Sequence, residues 1–454
     1  MSIPSNQISH QLANEKIGRL IWKYSLPSIV GTLIMSMYNV VDRIFLGQGV
    51  GALAISGLAL TFPFMILLLA VGMLIGAGSA SRISITLGEG DTEKSEKILA
   101  NAFILTFIIT GSAIVLSYVF MDKILVLFGG TEATTEYARE FMQIIIPANI
   151  FTALNFGFNN IMRASGYPKK AMLTMIICSI LNAIFAALFI FVFKWGIRGA
   201  ALATTLAYVV GSVWVLSHFM QKNVNIRFRR KNFRLEKNIV LSILSIGMSP
   251  FSMQLATCVV VILINSVLLR YGGDLAIGAY GIINSIMTLT VMIIIGLNQG
   301  TQPIIGYNYG AKLYPRMFSA LKKGAFIATV ISTSGFILGE FFSYQIVSLF
   351  TTDTELQHIA ANAIQIGVFV FPIIGAQIVI TNFFQSIGKA KISIFLSLTR
   401  QVLFLIPGLI ILPKFWQLNG VWAAMPVSDL LSTTLSLITI FYFVHRFKKE
   451  GWNM

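Results

Sequence analysis

Three acidic residues lie inside long apolar stretches of this 454-residue sequence: Asp42, Glu340 and Asp429. A charge at the centre of a helix in hydrocarbon costs about 2.5 to 3.5 kcal/mol on insertion scales, so an acid kept there marks a candidate site. Asp42 ends the run Met35-Ser36-Met37-Tyr38-Asn39-Val40-Val41-Asp42. Helical spacing of three and four puts Asn39 and Tyr38 on its face, with Met35 close by. A carboxylate edged by an aromatic ring and thioethers suits an apolar cation. Partly withdrawn from water, it is also expected to hold a proton and release it when the site meets the other side. The alternative is an ion pair with Arg43 or an interfacial position. Asp429, in Pro426-Val427-Ser428-Asp429, serves either helix packing or function. Glu340, near the end of its stretch, is placed to snorkel to water.

Asn159, Asn160, Asn182 and Thr204 add uncharged oxygens in the first half of the chain, a kind of residue that also ties helices together. The histidines, His10, His218, His358 and His445, lie outside the apolar stretches or at their ends, without a metal-ligand partner at helical spacing. Cys178 and Cys258 have no ligand spacing and read as packing residues. No Walker loop is present, so a transporter built this way uses an ion gradient or acts as a facilitator.

The elements that must carry these residues are membrane helices. The hydrophobic set makes up 56% of the chain and charged residues 11%, a balance that no soluble domain of this size needs. Stretches such as 98–120 and 324–342 run about 20 residues almost without charge, enough to cross a hydrocarbon core of about 30 Å. The short alternating strands of a barrel are absent, and helices satisfy their own backbone in lipid. Breaks at Gly, Pro and charge predict spans near 18–46, 52–80, 98–120, 140–164, 171–193, 199–220, 239–269, 275–303, 324–345, 359–386, 392–413 and 420–445. The first apolar run is too long for a cleavable signal core and is expected to stay as an anchor.

The net charge of +16 raises nucleic acid as a partner, and the placement of the basic residues answers it. With both termini on one side, that side collects 25 of the 33 Lys and Arg residues and the other side collects seven, with Arg400 inside a span. The positive-inside rule makes the rich side cytoplasmic. The densest cluster, Lys222, Arg227, Arg229, Arg230, Lys231, Arg234 and Lys237, reads as a cytoplasmic linker at mid-chain, with weak attraction to anionic lipid headgroups.

An offset of 222 residues superimposes Gly51 on Gly273, Gly78 on Gly300, Gly88 on Gly310 and Gly166 on Gly388. Shifts of one residue either way bring Gly199 onto Gly420 and Pro27 onto Pro250. The shared register predicts an all-α membrane protein of twelve transmembrane helices in two six-helix lobes. Residues 1–221 form the first lobe, 222–238 the linker and 239–454 the second. Six spans return the chain to its starting side, so the lobes are parallel repeats related by a pseudo-two-fold axis along the membrane normal, with a cleft between them for substrate.

Four segments carry a family resemblance: Pro27 with the run from Tyr38 to Gly47, then Arg163-Ala164-Ser165-Gly166-Tyr167-Pro168-Lys169, the run from Gly196 to Thr204, and Gly420-Val421-Trp422-Ala423-Ala424. Over nearly its whole length the chain resembles the MATE multidrug exporters, and among them the DinF/MepA-like bacterial branch. The resemblance implies two lobes open as a V, exporting amphipathic and often cationic drugs or metabolites against proton or sodium entry. It implies a coupling-cation site, for a proton or Na+, at Asp42 with Asn182 and Thr204. Residues facing the substrate cleft would be Met35, Tyr38, Asn39, Asn159, Arg163, Gln254 and Asp429. Expected partners are the small-molecule substrates, H+ or Na+ and membrane lipids, with no cofactor and no nucleic acid. The chain is expected to work as a monomer in the bacterial cytoplasmic membrane, both termini inside. One departure matters: the family's usual second acid on the fifth helix is replaced by Ala186. A sodium ion would then have one nearby carboxylate, which favours protons as the coupling ion. The main rival is a flippase for lipid-linked saccharides, which needs a strongly cationic cavity, whereas Arg43 and Arg400 are the conspicuous basic residues within spans. An intramembrane enzyme would need catalytic pairs that the sequence does not show.

Overall fold

The computed structural model describes residues 5–127 and 132–449, and within them the side chains of Asn39 and Arg43, among a few others, are outside the described residues. Every regular element described is a helix. Eleven helices are long and apolar enough to cross a membrane. The first six are Ile17–Gly49, Leu60–Gly88, Thr92–Val119, Thr134–Ala164, Pro168–Val192 and Gly196–Met220. The seventh to ninth are Lys237–Gly273, Leu275–Gly310 and Tyr314–Phe341, and the last two are Ala390–Ile411 and Pro413–Lys449. Between the ninth and these lies a broken crossing, Thr354–Val368 and Phe371–Ser386, bent by 54°. It completes the expected twelve, in a chain that passes the membrane many times. The sequence reading had one continuous helix there. Pro372 has no N–H to offer the preceding turn and disfavours helical geometry at Phe371, so the helix stops and restarts.

The repeated glycines mark turns that need left-handed backbone. Gly51 (φ 116°) and Gly273 (φ 65°) occupy matching positions, and Gly166 (φ 101°) matches Gly388 (φ 74°). A side chain at these angles would be strained, so the sequence register carries over into backbone geometry.

The two halves meet through reciprocal contacts. A Cβ on Gly88 would lie 2.0 Å from the Tyr307 carbonyl oxygen, and one on Gly310 would lie 2.0 Å from that of Ile85. The 222 offset exchanges the members of these two contacts. A second pair behaves alike: Gly78 approaches Gly247 and Gly300 approaches Ser25. Contacts that swap partners under exchange of halves define a pseudo-two-fold axis. Gly88 and Gly310 end their spans side by side, so these helices run the same way and the axis lies along them. Hydrogen bonds cross the same seam: Ser25 Oγ donates to the Leu297 carbonyl at 3.2 Å and Gln302 Nε2 to Ser81 Oγ at 2.6 Å.

The N-terminal stretch and the linker are both fastened to this end. Helix Ser5–Asn14 crosses onto the C-terminal half, where Arg316 donates to the carbonyls of Leu12 and Glu15. In the linker, Arg229 pairs with the buried Glu96, Lys231 with Glu93, and Glu236 with Lys97. Asn101 donates to the Arg234 carbonyl and accepts from the Glu236 amide. Phe228 and Phe233 pack edge-on against Phe103. Two of the linker's cations, Arg229 and Lys231, thus have acidic partners on the third span, and its aromatic residues have a hydrophobic seat.

Candidate functional site

The first, fourth, fifth and sixth spans enclose a cavity of about 30 Å³ in the N-terminal half. That is room for a water molecule or two, or a small cation, and far below the size of an amphipathic drug. Met35 and Tyr38 contribute the first-span wall, Asn155 and Asn159 the fourth. Met175, Cys178, Ser179 and Asn182 line the fifth-span side at steps of three and four residues, and Thr204, Ala207 and Tyr208 the sixth. These spacings put each set on one helix face.

Hydrogen bonds tie the walls together. Asn182 Nδ2 donates to Thr204 Oγ1 at 3.0 Å, and the Tyr38 hydroxyl lies 3.3 Å from the same oxygen. Tyr208 lines the same space as Tyr38, and the Asp42 carboxylate lies near enough to act electrostatically on both tyrosines. Asp42 sits one turn beyond Tyr38 and is 8% exposed. On the fourth span, Asn159 Nδ2 donates to the Ala171 carbonyl at 2.9 Å, while its Oδ1 is buried without a protein partner. An unfilled buried acceptor is costly, and at a cavity wall it is available to a cation or to a water that carries one. Asn155 Nδ2 reaches Cys178 Sγ at 3.2 Å, and Cys178 reaches the Ala207 carbonyl at 3.5 Å. Gly211 makes this corner possible, since a Cβ there would lie 1.9 Å from Asn155 Nδ2.

The expected residues thus divide. Asn182, Thr204, Tyr38, Met35 and Asn159 line one cavity, with Asp42 beside it. Arg163 lies beyond that wall, donating to Asn160 Oδ1 at 2.5 Å and reaching Met175 Sδ at 4.0 Å. Gln254 is half-buried on the seventh span and Asp429 is in the C-terminal half, and neither lines this cavity. Asn39 and the alternative Arg43 partner for Asp42 fall on side chains outside the described residues. Glu340 has one carboxylate oxygen covered, without a protein hydrogen-bond partner. Sequence reasoning assigned Cys178 to packing and passed over Tyr208 and Asn155. The signal was available: Cys178 precedes Asn182, and Thr204 precedes Tyr208, by one helical turn.

A helical membrane chain of two parallel repeats, with a small cavity of mixed polar and apolar lining in one of them, has the architecture of a secondary transporter. The MatE family model matches residues 27–188 and again 239–410, and the chain belongs to the MATE family of transporters. It is 25% identical over 434 residues to the multidrug export protein MepA of Staphylococcus haemolyticus, covering 95% of this chain and 94% of that one. To MepA of Staphylococcus aureus strain MSSA476 it is 27% identical over 423 residues, 92% of either chain. The MATE multidrug transporter DinF-BH, solved as a complex, is 34% identical and superposes with a TM-score of 0.88 over 93% of this chain and 95% of its own. An outward-facing MATE family transporter of the MOP superfamily shares the fold, with a TM-score of 0.91 at 22% identity over 97% of this chain and 98% of its own.

Proposed function

We propose that this protein exports amphipathic, often cationic compounds from the bacterial cytoplasm in exchange for an entering cation, which binds in the N-terminal cavity beside Asp42. The observation that carries the reading is the hydrogen-bonded run Asn182–Thr204–Tyr38, with the Asp42 charge next to it and the free Asn159 oxygen across a space that fits only a small guest. One carboxylate with neutral oxygens suits a proton, or a proton carried on water. With Ala186 buried on the fifth span in place of a second acid, sodium would gain little charge compensation, so protons are favoured. Substrate occupies the cleft between two lobes, 1–221 and 239–454, and rocking of the lobes about the glycine seam exposes it alternately to each side. The printed names of the relatives, multidrug export proteins and a multidrug transporter, support the substrate class. The linker and both termini lie on the cytoplasmic side, in keeping with the lopsided Lys and Arg count.

Protonation of Asp42 in the N-terminal cavity and binding of substrate in the cleft favour opposite arrangements of the lobes, so entry of one drives exit of the other. A potential of 100 mV supplies about 2.3 kcal/mol per charge, nearly fiftyfold accumulation. Asp42→Asn keeps the size of the side chain and removes its charge. In everted vesicles it should abolish export driven by an imposed pH gradient while membrane insertion stays normal. Full gradient-driven export by Asp42→Asn would refute the site, and export driven by sodium alone would refute the proton preference.

A further inference from the structure

We propose that Arg163 is the fixed positive charge that closes the N-terminal cavity to cations on the linker side, a selectivity barrier that keeps the guest from slipping through while the halves are joined at that end. The proposal rests on the reading of the cavity as a cation site.

The barrier is built from the same four spans as the cavity. Towards the linker, the last residues to line the cavity are Met35, Asn159, Met175 and Tyr208. Arg163 stands one helical turn beyond Asn159 and is 3% exposed. Long side chains on a helix point back towards its N-terminus, so the guanidinium reaches up beneath the cavity. The contacts agree. Nη2 donates to Asn160 Oδ1 at 2.5 Å, three residues back, and Nη1 reaches the Sδ of Met175, itself a cavity-lining residue, at 4.0 Å. The first span closes on that sulfur from its own side, where a Cβ on Gly31 would lie 2.5 Å from it. Nearer the linker stands a second cation, Lys170, 3.3 Å from His218 Nδ1. The linker lies over this end: the Asn225 amide donates to the Tyr167 hydroxyl and the Asn225 side chain to the Ser165 carbonyl.

Neither cation has a carboxylate within ion-pair distance among the described residues. A buried charge without a counter-charge is expensive, and the partners of Arg163, an amide and a thioether, offset little of that cost. The turn at the helix end does not require the charge either. The repeat puts Gln385 at the matching position, and the same bond closes both turns, from the Gly166 amide to the Arg163 carbonyl at 3.0 Å and from the Gly388 amide to the Gln385 carbonyl at 3.1 Å. An uncharged side chain thus serves the same backbone. What the charge adds is repulsion, because a cation leaving the cavity towards the linker meets a like charge at the first turn it has to pass. Four residues of helix span about 6 Å. Over that distance, at an effective dielectric constant of about 20, one unit charge slows the passage of another on the order of 100-fold. An arginine excludes cations from water-conducting pores by the same means.

The test measures cation leak. Full-length wild type and variants in proteoliposomes, without substrate, are given an interior-negative potential of about 100 mV. Proton influx is read with an internal pH dye, sodium influx with a sodium dye, and glycerol entry by light scattering. Arg163→Met keeps an unbranched side chain without charge, and its cation influx should rise by about 10- to 100-fold over wild type while glycerol entry stays the same. Arg163→Lys keeps the charge and should stay near wild type. Asn160→Asp leaves the arginine in place and balances its charge, so it should leak as well, whereas a purely structural role predicts a tighter helix end and no leak. If Arg163→Met does not fold, Asn160→Asp carries the test. Adding Asp42→Asn separates the barrier from the site: a leak that persists keeps the barrier and refutes Asp42 as the cation's station, and a leak that disappears supports both. Influx at the wild-type level in either folded variant would overturn the proposal. So would glycerol entry that rises with the cations, or an Arg163→Lys leak equal to that of Arg163→Met.

Discussion

Replacing Gly88 by alanine should shift the protein away from the form in which its halves are joined at the linker end. The magnitude follows from the seam. An alanine Cβ would stand 2.0 Å from the Tyr307 carbonyl oxygen and 2.8 Å from the Ala311 nitrogen, while real Cβ contacts stay above 3.0 Å. Both obstacles are backbone atoms of the eighth span, which cannot rotate away, so the second and eighth spans must part by about 1 Å. Overpacking of this kind costs typically 1 to 3 kcal/mol. The form with the halves apart at this end escapes the cost, so the equilibrium between forms should move by about 5- to 150-fold. Spin labels at Met220→Cys and Lys322→Cys, one on each half, in a background lacking Cys178 and Cys258, read the separation directly. The variant should gain a population at longer distance, and Gly310→Ala should do the same because its clash with Ile85 is the reciprocal one. Distance distributions identical to wild type in both variants would show that the seam is not the element that opens.

Other consequences are as direct. Gly211→Ala drives a methyl group to within 1.9 Å of Asn155 Nδ2 and 2.3 Å of Cys178 Sγ, so it should deform the cavity corner and lower thermal stability by about 1 to 3 kcal/mol, with weakened cation dependence of export; an unchanged melting curve and pH response would contradict this. Glu96→Ala removes the 4%-exposed partner of Arg229 and should cost about 1.5 to 3 kcal/mol, with earlier proteolytic cleavage between 222 and 236, and protection equal to wild type would mean the remaining contacts hold the linker without this pair. Thr204→Val cuts the link between Asn182 and Tyr38 at nearly constant volume and should impair gradient-driven export with little change in expression. Reporters fused within 221–238 and after Met454 should both be cytoplasmic, and external activity at either would reverse the proposed topology.

The fold was legible because its two signals are physical necessities. Apolar length has to match the bilayer, and a glycine has to stand wherever left-handed backbone or backbone contact is required, so Gly51, Gly88, Gly166 and their counterparts keep a common register. The site was legible in part. Asp42, Asn182 and Thr204 stand out as polar atoms in apolar helices, whereas Cys178 reads as filler because a thiol is ordinary in a core. Its role at the cavity wall depends on the approach of the sixth span at Gly211 and Ala207, a tertiary fact that no spacing along the fifth span encodes. The basic charge of residues 222–238 is plain in the sequence, whereas their anchorage depends on Glu93, Glu96 and Asn101 facing them from the third span.

The first span carries both a wall of the cavity and part of the seam, which under the proposed function links binding to the contact between halves. Ser25 and Ile29 on the first span meet Gly300 and Gly296 of the C-terminal half, and Ser25 Oγ bonds across the seam to Leu297. Tyr38, on the same helix, reaches Thr204 on the sixth span within the N-terminal half. Nine residues separate Ile29 from Tyr38, about 14 Å of helix at 1.5 Å per residue. On the proposed reading, a proton or cation arriving beside Asp42 would change the hold of the N-terminal half on a helix whose other end is part of the contact between halves. The C-terminal half contributes its seventh and eighth spans to that seam, while its own ion pair, Arg400 with Asp429, lies between the eleventh and twelfth. On the proposed reading, the charge that is exchanged and the contact between the halves share one element, the first span.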